Sequence, residues 1–129
     1  MLHPRVLGGQ LWGGFILGVS HATGMRFVYD QHFGVGLAKR WYNSKPPTIL
    51  DLPIDSMKWA ATDIPDPETP VGSRGMGEAP VGAGFGAVAN AIANAVGHDV
   101  FRRAPIMADM ILMALEQGKP AHEPLTANI

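Results

Sequence analysis

The sequence predicts an α/β fold of the α+β kind, a single small domain in which a short mixed sheet packs with about three helices. Apolar residues recur at helical spacing in the first twenty-odd positions and twice more after Pro80. Between them, β-branched and aromatic residues flank Asp30-Gln31-His32-Phe33-Gly34, a composition suited to a hairpin loop. The chain has 129 residues and no linker long enough to divide domains.

Gln10 to Ala22 reads as the first helix. Leu11, Phe15 and Gly18 share one face, and Gly13 and Gly14 are small enough to allow close packing. Its apolar run, Leu11–Val19, falls far short of the ~20 residues of a membrane span and is broken by glycines, so neither a span nor a signal peptide is expected. Arg26–Asp30 and Val35–Arg40 read as strands on either side of the hairpin loop. Pro46-Pro47 then ends any regular element. Ser56–Thr62 is expected to be a third strand, followed by an extended, solvated acidic loop over Asp63–Val71.

In the second half, Phe85, Val88, Ala89, Ile92 and Val96 recur at helical spacing, so a helix is expected from near Phe85 to a C-cap at Gly97. Asn90 and Asn94 fall on another side, as solvated amides. Pro105 suits the first turn of a last helix, with Met107, Met110, Ile111, Ala114 and Leu115 as its buried stripe up to Gly118. The remaining residues, to 129, are expected to form an extended tail.

Composition narrows the function. Hydrophobic residues make up 47% and charged residues only 16%, against a typical charged share of about 25%. So apolar a chain is expected to have part of its surface covered by another chain. A net charge of −1 without a basic block excludes nucleic acid as an expected partner. The absence of Cys excludes disulfides and thiolate-held zinc or iron–sulfur clusters within this chain.

Several motif matches fail on context. The histidines at 3, 21, 32, 98 and 122 have no metal-site spacing, so no metal ligand is expected among them. No serine sits in a Gly-x-Ser-x-Gly elbow. Gly82-x-Gly84-x-x-Ala87 fits a dinucleotide fingerprint by letter, but that fingerprint needs a buried strand before it, and Pro80 spoils one. These glycines are instead expected to let a loop and helix start press against a cofactor or substrate.

Residues 72–97 carry the chemistry. Glycines surround the only acid of that stretch, Glu78, and the segment runs straight into an Ala-rich helix. Glycine lets the backbone take unusual conformations and lets a bulky ligand approach. A lone carboxylate so placed suits a positioned acid or base.

Gly75-Met76-Gly77-Glu78 followed by Ala87-Val88-Ala89-Asn90-Ala91-Ile92-Ala93-Asn94-Ala95-Val96-Gly97 resembles the C-terminal end of the molybdenum-binding large subunit of the xanthine dehydrogenase/aldehyde oxidase family. Upstream, Gly9-Gln10-Leu11-Trp12-Gly13-Gly14-Phe15-Ile16-Leu17-Gly18 resembles its Gly-Gln helix start, and Arg103-Ala104-Pro105-Ile106 its closing segment. The likeness is collinear over residues 4–117. It implies that the whole chain is the C-terminal part of a molybdopterin-binding domain, with 118–129 as the tail.

By that resemblance, Glu78 is the active-site base beside the molybdenum, and Gln10 and Gly77 contact the pterin. The implied cofactor is a molybdopterin-type molybdenum cofactor, its cytosine dinucleotide form included, shared with a larger molybdenum-binding chain. Iron–sulfur clusters and FAD are expected on other subunits, and the compartment is expected to be the cytoplasm. The implied function is a small subunit of a multi-subunit molybdenum hydroxylase acting on an aldehyde or aromatic N-heterocycle with water. The alternative is a non-catalytic structural or assembly subunit of such a complex.

Overall fold

Pro4 starts the first helix well before the expected Gln10, because its fixed φ suits the first turn and its missing N–H is not needed there. His3 caps that end, its Nδ1 accepting the Val6 N–H at 3.2 Å. This helix, α1 (Pro4–Thr23), is followed by a single turn, α2 (Trp41–Ser44), then α3 (Pro80–Val96) and α4 (Ala108–Gln117). Two 3-10 turns lie at Ile49–Asp51 and Ile54–Ser56. The computed structural model describes residues 1–98, 101 and 103–117; the expected tail lies outside them.

The pairing of α1 with α3 organises the molecule. A Cβ on Gly18 would sit 2.6 Å from the Phe85 backbone nitrogen and closer still to the Val81 carbonyl oxygen. A Cβ on Gly84 would sit 2.6 Å from the Phe15 carbonyl oxygen. Only hydrogen fits at either position, so the two backbones touch.

This corrects the expected helix start near Phe85. Pro80 occupies the first turn of α3, so Gly82, Gly84 and Gly86 are helical rather than part of a loop. Gly84 serves packing against α1 and not the approach of a ligand. Phe85, Val88, Ala89, Ile92 and Val96 are half-buried, while Asn90 and Asn94 are exposed.

The segments flanking the hairpin loop meet at one antiparallel bridge, Tyr29 with Gly36. The loop itself is built by Asp30, whose Oδ1 accepts the Phe33 N–H at 2.7 Å and the His32 N–H at 3.0 Å, with Gly34 at φ +66°. Among the described residues Ser56–Thr62 pairs with no strand. Its Trp59 is instead held against α1, where a Cβ on Gly8 would lie 2.6 Å from Trp59 Nε1.

The last helix begins at Ala108 and not at Pro105. The Ile106 N–H donates to the Ala22 carbonyl at 2.7 Å, which ties the segment before α4 to the C-terminal end of α1. Met110 and Ala114 are buried as expected, but Leu115 is exposed. Among the described residues, no helix is long and apolar enough to cross a membrane.

Candidate functional site

Gln10 stands one helical turn before Gly14 and on the same face of α1. Gly14 lies against the ring that opens α3, since a Cβ there would be 3.0 Å from Pro80 Cδ. Glu78 is two residues upstream of that proline, and its carbonyl accepts the Val81 N–H at 3.0 Å. The Gly14–Pro80 contact therefore sets the Gln10 turn and the Glu78 loop at the same end of the helix pair.

A cleft of about 1220 Å³ opens at this end, walled by the first turns of α1 and by residues 60–67 and 71–76. Gln10, His3, Ser73, Arg74 and Met76 line it. Gly77 and Glu78 do not; they follow Met76 in the chain and are exposed. The structure thus brings Gln10 to the cleft wall and leaves the two other predicted site residues at its margin. A second cleft, of about 420 Å³ around Ile49–Ser56, shares no lining residue with it.

Gly75 and Gly77 have open space where a Cβ would stand. The loop therefore offers bare backbone on both sides of Met76. The Glu78 carboxylate forms no hydrogen bond or ion pair among the described residues, so both of its oxygens are available. Among those residues no group of three His, Cys, Asp or Glu side chains converges as a metal site.

The acidic loop departs from expectation at Asp66. This residue is buried, not solvated, at 8% exposure. Its Oδ2 accepts the Arg74 Nε–H and its Oδ1 the Glu68 N–H at 2.9 Å. Its own N–H donates to the Gly72 carbonyl at 2.9 Å, and the Gly72 N–H donates to Thr69 at 3.1 Å. Gly72 lies at φ +68°, a conformation that favours glycine. The Arg74 guanidinium first, and the Glu68 amide second, hold the Asp66 carboxyl below its usual range.

The sequence alone assigns Arg74 no role and reads Asp66 as part of a solvated loop. A usable signal was present in Asp66-Pro67-Glu68, since an Asp that bonds the N–H two residues on is an Asx turn. The partner of its second oxygen, eight residues away, had no local signature.

No protein-family model matches the chain, and no solved structure does. The chain is similar to the xanthine dehydrogenase molybdenum-binding subunit of Escherichia coli, at 30% identity over 97 residues, or 75% of this chain. It is also similar to the carbon monoxide dehydrogenase large chain of Afipia carboxidovorans, at 30% identity over 96 residues, or 73% of this chain. The match spans 13% of the first relative and 11% of the second.

Proposed function

The chain belongs with the molybdenum-binding large subunits of the xanthine dehydrogenase family as a homologue of one segment of them, and from that premise we propose that it completes the molybdenum–pterin active site of a multi-subunit hydroxylase. In this reading residues 1–129 are the C-terminal part of a molybdopterin-binding domain, acting as a small cytoplasmic subunit beside a larger molybdenum-binding chain. The observation that carries it is the Gly14–Pro80 contact, which sets Gln10 and the Glu78 loop at one end of the helix pair beside the large cleft.

The residues present fit such a cofactor. Gln10 lines the cleft, and its carboxamide can both donate to and accept from the polar edge of a pterin. Gly77, with nothing where its Cβ would be, allows a ring system to approach the backbone. When bound, the cofactor supplies the two-electron redox chemistry.

The chain's own part is position and proton transfer. Glu78 accepts a proton at a carboxylate oxygen as water adds to an aldehyde or aromatic N-heterocycle, and Pro80 on Gly14 fixes the loop that carries it. With no Cys to hold an iron–sulfur cluster in this chain, the iron–sulfur and flavin groups that would carry the electrons away would belong to other chains. The extended segments Arg26–Asp30 and Val35–Arg40, joined here by one bridge, complete a short mixed sheet with strands of the larger chain.

Metal analysis of the complex purified through this chain tests the reading. Molybdenum in constant proportion to the chain supports it. A stable complex without molybdenum would leave the chain as an assembly subunit.

A further inference from the structure

Five residues, Gly75 to Ala79, join two fixed points. Pro80 rests on Gly14 at the downstream end. At the upstream end Arg74 is bound to buried Asp66, which also closes the loop 66–72 on itself through Glu68 and Gly72. Between these anchors the glycines at 75 and 77 touch nothing with their Cβ positions, so the joining segment has no side-chain packing at those two places. Glycine also gives it the widest range of backbone conformations available. The location of Glu78 then depends on its two ends. We propose that Asp66 and Arg74 form a clasp that positions the Glu78 loop, and that both are positioning residues for the reaction.

The geometry of the pair suits that task. Asp66 is buried while the Arg74 side chain is 79% exposed, so the carboxylate is the fixed half and the arginine the tethered half. Asp66 is itself oriented by the Glu68 amide and by its own N–H bond to Gly72. Arg74 also lines the cleft that holds Gln10, so the clasp joins the cleft wall to the loop at its margin. A charge-assisted hydrogen bond of this kind is stronger than a neutral one.

The role of the clasp rests on Glu78 acting as the base, but its mechanics can be measured independently. Amide hydrogen exchange is followed on the full chain, with whatever subunits accompany it, for Asp66→Asn, Arg74→Gln and Arg74→Lys. The Gly72 amide reports the clasp, and the Val81 amide, held by the Glu78 carbonyl, reports the far side of the loop. Asp66→Asn and Arg74→Gln should speed exchange at both by about tenfold, the factor that a charged hydrogen bond supports, while amides deeper in α3 keep their protection. Arg74→Lys, which retains the charge, should recover part of it. In turnover, the first two variants should lower kcat with little change in KM, with Lys again intermediate.

Faster exchange at Gly72 with none at Val81 in a folded chain would overturn the proposal, because the clasp would then be purely local. Equal loss of protection throughout α3 would overturn it too, as general destabilisation. If Glu78→Gln keeps its turnover, the catalytic reading fails, and the Val81 amide still decides whether the clasp positions the loop.

Discussion

Glu78 is the residue on which the proposed chemistry turns. Replacing it by Gln keeps the size and much of the hydrogen bonding but removes proton acceptance. The complex should assemble and load molybdenum while turnover falls by about 10²–10⁴-fold, the usual contribution of a general base. Raising substrate concentration should not restore it, because the lost interaction belongs to the transition state. Gln10→Ala should do the reverse, lowering molybdenum content more than turnover per bound metal, as measured by metal analysis alongside kinetics. Asp66 gives a prediction in pH. Its folded pKa is depressed by Arg74, so its stabilisation is present above the unfolded value of about 4 and is lost as pH falls through the folded one. Asp51, held by the Thr48 amide and hydroxyl, acts with the same sign. Thermal unfolding of the complex across acid pH should show wild type above Asp66→Asn at neutral pH, with the gap closing below about pH 4.

Among the elements, the α1–α3 pair separates glycines that look alike in sequence. Gly18→Ala and Gly84→Ala would drive a methyl group into the backbone of the other helix. Neither neighbour is a flexible side chain that can move aside, so each substitution should destabilise by about 1–3 kcal/mol or more, as overpacking does. Gly13→Ala and Gly82→Ala meet nothing within 4 Å. In those two, relief of helical glycine entropy should stabilise by about 0.5–1 kcal/mol. Melting temperatures of the complex carrying each of the four variants check the contrast. If all four fall together, the close approach of the two helices is wrong.

Among the described residues, large apolar side chains stand in solvent while few are buried. Leu50, Trp41, Phe33 and Phe27 are between 73% and 93% exposed, and the buried hydrophobic residues are Ala22, Ile106, Met110 and Ala114 among those described. So small a core leaves apolar surface for another chain to cover. Expressed alone, the chain should aggregate or give broad, poorly dispersed NMR lines. Co-expression with the proposed larger chain should yield a monodisperse complex by size-exclusion chromatography, whereas a sharp-melting monomer on its own would contradict this.

The sequence by itself determined the features that depend on neighbours along the chain. Phe85 to Val96 has a helical period because side chains three and four apart share a face. Asp30 and Gly34 make a turn because one bonds the backbone just ahead and the other accepts a positive φ. The glycines around Glu78 marked the segment worth attention, and Gln10 and Glu78 together carried the family likeness. Tertiary structure decided what each small or charged residue meets. Gly84 proved to be a helix contact because α1 lies across it, although its spacing matches a dinucleotide fingerprint by letter. Asp66 proved to be buried and bound by Arg74, eight residues on, although its surroundings in sequence read as a solvated acidic loop. Periodicity divides a helix into faces without naming what each face touches, and a glycine or an aspartate takes its energetic meaning from atoms far away in sequence.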